Sequence, residues 1–194
     1  MKLFLYDISL ITWCVIFILS VYFVSSVWIF LWRWIKLGDI ASIELESFNI
    51  LKSSNHTLRK ASFYNALESG NINFNRLNIE KISTINKITV GLSMLSVIAS
   101  TAPFIGLFGT VVEILEAFYR MGNAGKVSFD VIAPIISNAL IATAFGIFTA
   151  IPAYSFHIIL KRKAYIISTY LDMQINQILD SNVDNKKDSK ITLK

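Results

Sequence analysis

Thirty consecutive residues, Val131 to Leu160, carry no formal charge, and small side chains recur through them: Ala139, Ala142, Thr143, Ala144, Gly146, Thr149, Ala150 and Ala153. About 20 apolar residues are enough for a helix to cross the hydrocarbon of a bilayer, so this segment spans with length to spare. Lipid tails fill space against Leu and Phe as well as against Ala, so a lipid-facing surface has no need of small residues. Close helix–helix approach does. Ala142, Gly146 and Ala150 recur at i, i+4, i+8 and share one face, with Ala139 and Thr143 as an adjoining stripe. A chain with this segment folds as a helix packed against other helices inside a membrane.

Two further uncharged runs, Ile8–Trp32 and Ile88–Val112, are each long enough to cross. The first is too long for the apolar part of a signal peptide, follows Asp7, and has no convincing cleavage site after it. It ends in Trp28, Trp32 and Trp34 beside Arg33 and Lys36, an aromatic and basic interfacial anchor. With 54% hydrophobic residues, the chain reads as an integral membrane protein. The net charge of +5 matters through its placement. One Lys or Arg precedes the first run and two lie in Glu113–Asp130, against eight in Arg33–Lys87 and seven from Lys161 onward. The positive-inside rule puts the N-terminus outside and the middle segment and C-terminus in the cytoplasm, consistent with three crossings. The basic excess is accounted for this way, with no nucleic acid as partner and membrane lipid as the surroundings.

The segment Lys36–Lys87 mixes apolar and polar residues at helical spacing, with Ile43, Phe48, Leu51, Leu58, Phe63 and Leu67 as packing positions and Gly70-Asn71 as a turn. After Lys161-Arg162-Lys163, residues Ile167, Leu171, Ile175 and Ile178 form the apolar face of an amphipathic helix. From Ser181 the composition is polar and predicts disorder.

Enzyme chemistry finds no support. Gly106–Thr110 lacks the lysine and spacing of a phosphate-binding loop, and His56 and His157 have no metal-ligand spacing to any partner. No metal or cofactor is expected. Cys14 cannot form a disulfide within the chain and reads as a packing or lipid-facing residue. His157 reads as a polar cap at the cytoplasmic end of the third span rather than as a proton relay.

In the second span, Ala102, Gly106 and Thr110 repeat every four residues, a second smooth face able to meet the third span. Pro103 removes a backbone hydrogen bond, tolerated where neighbouring groups satisfy the freed carbonyl. Ile114, Leu115, Ala117 and Phe118 extend the helix past Val112 and bring Glu113 onto nearly the same face as Thr110.

Two motifs, AP-x-x-GLFGTV at Ala102–Val111 and AP-x-I-x-x-AL-x-ATA at Ala133–Ala144, the latter followed by AIPA at Ala150–Ala153, closely resemble the MotA/TolQ/ExbB proton-channel family in its three-span ExbB and TolQ branch. The close match covers roughly residues 90–163, and two long motifs in order on consecutive spans are a specific sign. The resemblance implies an all-α polytopic protein of the Gram-negative inner membrane, with three transmembrane helices, the N-terminus out and the C-terminus in, assembled into an oligomeric ring, expected to be a pentamer. Its segments would be a periplasmic N-terminus and first transmembrane helix at 1–34, a cytoplasmic helical region at 35–87, transmembrane helix two at 88–118, a periplasmic loop at 119–130, transmembrane helix three at 131–161, the cytoplasmic amphipathic helix at 162–180 and a disordered tail at 181–194. The second and third spans would line a pore occupied by helices of an ExbD/TolR-type single-span partner. Proton-motive force would be delivered to a TonB- or TolA-type periplasm-spanning protein.

Thr110 and Thr143 match the family's two pore-facing threonines. A threonine hydroxyl also bonds its own backbone at i−4, and the sequence leaves that role and a proton-path role equally open. Two departures stand out. Where the family commonly has a glutamate in span three, this chain has Asn138, which cannot titrate, and Glu113 stands where a glycine is usual. Glu113 and Asn138 should lie within about one helical turn, ~5 Å, in depth. Glu113 therefore either supplies the missing carboxylate or sits solvated, or paired with Arg120, at the rim. Ala102, Gly106, Ala139, Ala142, Gly146 and Ala150 are the expected helix-packing positions. With no acid in the middle of any uncharged run, the chain alone should conduct protons poorly. A four-span flagellar stator does not fit this length, and three spans cannot hold a transporter's inverted repeat. A non-conducting scaffold for a partner complex is the alternative reading.

Overall fold

A computed structural model describes residues 10–52, 63, 74–124 and 129–191. All regular structure in these residues is α-helical: α1 (Leu10–Lys52), α2 (Phe74–Thr89), α3 (Leu92–Ala124) and α4 (Phe129–Ile191). Three of them, α1, α3 and α4, are long and apolar enough to cross a membrane. Helices are the natural solution there, because each satisfies its backbone hydrogen bonds internally.

Each long helix outlasts its apolar run. α1 continues from the Trp28–Trp34 anchor to Lys52 without a break, even at Gly38, where an added Cβ would meet nothing within 4 Å. α4 runs on to Ile191, past the point at which composition alone predicts an unstructured tail. Nucleation is the costly step of helix formation, so polar residues add to an existing helix cheaply. Between α2 and α3 the chain turns at Gly91, whose φ of 87° lies in the left-handed region open to glycine. The Leu95 N–H then donates to the Gly91 carbonyl at 3.2 Å and closes the first turn of α3. Of the packing positions expected between Lys36 and Lys87, Phe63 is buried and Ile43 and Phe48 are half-buried. Leu58, Leu67, the Gly70-Asn71 turn and the side chain of Leu51 lie outside the described residues.

The described residues form two compact units. The first comprises residues 10–31 and 91–158, the apolar lengths of α1, α3 and α4. Its centre is Val15, Leu19, Ala102, Ala142 and Ala150, with Tyr22 and Ile105 packed against them. α1 and α4 run parallel, as the ring stacks Phe23–Phe148 (5.6 Å between centroids) and Phe30–Phe156 (4.1 Å) show. α3 and α4 run antiparallel: the first residue of α3, Leu92, accepts a hydrogen bond through its carbonyl from His157 Nδ1 at 3.0 Å. Large apolar side chains such as Phe17, Val24, Trp28, Phe104, Phe108, Leu115, Ile151 and Ile158 stay exposed, as bilayer-facing helices require.

The second unit holds residues 32–52, 63, 74–90 and 159–191. Leu37, Leu77, Ile88, Leu160, Ile167, Leu171, Ile175 and Ile178 are buried in it. Its polar groups are mostly paired. Arg33 donates to the Lys87 carbonyl (3.2 Å), Gln174 Nε2 donates to both the backbone and the carboxylate of Glu44 (3.0 and 2.9 Å), and Lys81 pairs with Asp172. The interfacial anchor is built from cation–π contacts, with Lys163 over Trp34 at 3.3 Å and Lys36 over Trp32 at 4.4 Å.

Candidate functional site

The antiparallel crossing of α3 and α4 gathers most of the residues that the two motifs single out. Ala102, Gly106, Ala139, Ala142, Gly146 and Ala150 are all buried. Two glycines set the closeness of the crossing. A Cβ on Gly106 would stand 2.7 Å from the Ala142 carbonyl oxygen and 3.0 Å from the Thr143 Cα; one on Gly146 would stand 2.7 Å from the Ala102 carbonyl oxygen and 3.1 Å from the Gly106 Cα. The obstacles are backbone atoms, which cannot swing aside, so here the two main chains touch. A Cβ on Gly109 would meet Ala142 Cβ and Val15 Cγ2, each at 3.2 Å, so α1 closes against the same place.

Directly beyond this contact the two threonines meet. Thr110 Oγ1 and Thr143 Oγ1 are hydrogen-bonded to each other across the helices. Thr110 Oγ1 also lies 3.2 Å from the Ala139 carbonyl and 3.3 Å from its own Gly106 carbonyl, and Thr143 Oγ1 lies 3.2 Å from the Gly106 carbonyl. Two hydroxyls hold only two protons, and a carbonyl can only accept. The cluster therefore has two orders. Thr143 donates to Thr110, which donates to a carbonyl; or Thr110 donates to Thr143, which donates to the Gly106 carbonyl. The sequence left open whether each threonine bonds its own backbone or something else. Thr110 does both, and Thr143 reaches the opposite helix. The pair combines an interhelical clasp with a reversible hydrogen-bond chain.

Glu113 lies one turn beyond Thr110 on α3. It is 4% exposed, and neither carboxylate oxygen has a hydrogen-bond partner among the described residues. Burial rules out a solvated position; the Arg120 side chain lies outside those described. In the α3–α4 register, Gly106 meets Ala142 and Thr143, and Thr110 meets Ala139, so Glu113 falls opposite the stretch Ile136–Asn138. Asn138 is half-buried, as is Glu116. One residue had no sign in the sequence at all. Thr12 of α1 is fully buried, and its hydroxyl has no partner among the described residues. A lone threonine in an apolar run is ordinary, and only packing shows that its hydroxyl is trapped. No group of three or more His, Cys, Asp or Glu able to hold a metal occurs among the described residues.

Comparison with known proteins agrees with this geometry. Residues 55–173 match the MotA/TolQ/ExbB proton channel family, a span that contains the whole α3–α4 crossing. The chain is 48% identical over 161 residues to the ExbB-like 1 protein of Helicobacter pylori, covering 81% of this chain and 85% of that one. It is 40% identical over 105 residues to the biopolymer transport protein ExbB of Neisseria gonorrhoeae, covering 54% and 47%. It is 37% identical over 115 residues to the Tol-Pal system protein TolQ of Haemophilus influenzae, covering 59% and 47%. With three helices able to cross a bilayer, this multi-pass inner-membrane chain belongs to the MotA/TolQ/ExbB proton-channel family, in its ExbB/TolQ branch.

Proposed function

We propose that the chain is the ring subunit of an inner-membrane proton-channel motor. Copies of it, expected to be five, surround single-span helices of an ExbD/TolR-type partner and use the proton-motive force to energise a TonB- or TolA-type periplasm-spanning protein. The N-terminus lies in the periplasm, and the region between the first two spans and the C-terminus lies in the cytoplasm, as the placement of lysine and arginine supports.

The observation that carries the reading is the Thr110–Thr143 hydroxyl pair at the glycine-set crossing. A proton moving through hydrocarbon needs a titratable group or a hydrogen-bonded chain. A hydroxyl both donates and accepts, and this pair can run in either of its two orders without moving a helix. The close-packed glycines hold the two oxygens in register. In the assembly, α3 and α4 line the pore, Thr110, Glu113, Asn138 and Thr143 border the proton path, and the titratable carboxylate that completes it comes from the partner's span.

Native mass spectrometry of the protein purified after co-expression with its genomic neighbours tests this. A pentamer holding a single-span, aspartate-bearing partner is the expected result. A monomer, or a ring that captures no such partner, overturns it. A scaffold would also keep its phenotype in the presence of an uncoupler, whereas a motor loses it.

A further inference from the structure

The registers of the first unit bring three polar residues, one from each helix, to a single level. α1 and α4 run parallel, with Phe23 stacked on Phe148 and Phe30 on Phe156, so Thr12 falls opposite Ser137–Asn138. α1 meets α3 where Val15 covers Gly109, and the two helices run antiparallel. One turn towards the start of α1 and one turn towards the end of α3 therefore lead in the same direction, to Thr12 and Glu113. Glu113 in turn faces Ile136–Asn138. Thr12 is fully buried and Glu113 nearly so, and their three side-chain oxygens have no hydrogen-bond partner among the described residues. The other buried hydroxyls of the first unit that the structure describes in hydrogen bonds, Ser26 and Thr110, have carbonyl acceptors. Three buried side-chain oxygens at one level without a partner among the described residues therefore mark a polar site.

We propose that Thr12, Glu113 and Asn138 form a proton-binding site inside the helix bundle, with Glu113 as the group that takes up and releases the proton. A carboxyl group buried without donors is costly as an ion and far less costly as an acid. The acid carries an O–H that Thr12 Oγ1 or the Asn138 amide oxygen can accept, and its other oxygen can accept in turn from the Thr12 hydroxyl or the Asn138 amide. Few other charges compete. Glu116 and Tyr119 lie further along α3, Cys14 on α1 is exposed, α1 brings no charge before Arg33, and α4 brings none between Ile132 and His157. The site lies one turn from the Thr110–Thr143 pair, so a proton held there is placed to pass to that hydroxyl chain. Only this last consequence rests on the channel reading.

Labelling with an apolar carbodiimide tests the site in membranes containing the full-length protein with its co-expressed partners, without any variant that must fold. The reagent adds to a carboxylic acid and leaves a stable N-acylurea, which peptide mass spectrometry locates. The expected result is an adduct on Glu113 that forms faster with the apolar reagent than with a water-soluble one. Its rate should fall about tenfold per pH unit once the acid has dissociated. The adduct should be absent from Glu113→Gln, retained in Glu116→Gln, and formed with a changed pH midpoint in Thr12→Val. No adduct on Glu113 while other carboxyl groups react, or equal labelling by the two reagents, overturns the proposal. Suppression by sodium ions at constant pH would make the ligand a metal cation and also overturns it, and an unchanged midpoint in Thr12→Val removes Thr12 from the site. A positive result on a chain that forms no ring would separate this site from the motor reading, because labelling needs only the bundle.

Discussion

The two units of this chain are held together by opposite means. Where α3 and α4 cross, the contact is made by Ala102, Gly106, Ala142 and Gly146, and the main chains touch. In the second unit, Ile167, Leu171, Ile175 and Ile178 form a face of large side chains, all buried. The difference follows from the solvent each sequence suits. In lipid, an exposed leucine loses nothing, so association comes from close packing and interhelical hydrogen bonds, and small residues are favoured. In water, burying a large apolar side chain contributes about 1.5–3 kcal/mol, so large residues are favoured. The polar groups divide along the same line. Glu44 in the second unit receives two hydrogen bonds from Gln174, while Glu113 in the first is buried with none recorded among the described residues. Among the described residues of the second unit, Gln174 Oε1 is the one buried side-chain oxygen without a partner. An unmet carboxyl group in the apolar unit is better explained by a function than by stability.

Substitutions can break or sharpen this contrast. The largest effect is expected from Leu171→Ala, which leaves a cavity in a face of large side chains and should cost about 2–5 kcal/mol in thermal unfolding of the purified protein. Next come Gly106→Ala and Gly146→Ala. Each sets a methyl against backbone and should cost about 1–3 kcal/mol, read as lower thermal stability of the purified protein. Gly38→Ala should go the other way by about 0.5–1 kcal/mol, because its site is open and alanine suits a helix better. If all three glycine variants behave alike, close approach is not what the first unit depends on.

Thr143→Val keeps the shape and removes one hydroxyl of the pair. It should cost about 1 kcal/mol of stability yet abolish proton-motive-force-dependent activity, while Thr143→Ser retains part of it. Activity surviving in the valine variant at normal expression would reduce the pair to a clasp. The smallest effect belongs to Lys81→Ala, which removes the pair with the exposed Asp172. It should cost about 0.2–1 kcal/mol at low salt and little in high salt.

The crossing was legible in the sequence because helical periodicity shows up in a single chain. The repeats 102/106/110 and 142/146/150 define faces whatever they meet. The three spanning helices were legible for the same reason, since length and hydropathy are local properties. Whether Glu113 was solvated at a rim or buried could not be read, because one turn of helix separates the two positions and both suit the same local sequence. The continuation of α1 through Gly38 was not legible either, because a glycine in a helix and a glycine at a helix end look alike before packing is known.

From its sequence alone, then, this protein was committed to three apolar helices and to small-residue faces on the second and third of them, with Thr110 and Thr143 on or beside those faces. Each of these depends on spacing within one segment. Only the tertiary structure put Thr12, Glu113 and Asn138 at one level, brought the threonines together in a hydroxyl chain with two orders, and left the Thr12 and Glu113 oxygens without partners among the described residues. Those depend on the register between helices far apart in the chain, which is set by where Gly106 and Gly146 let the backbones close.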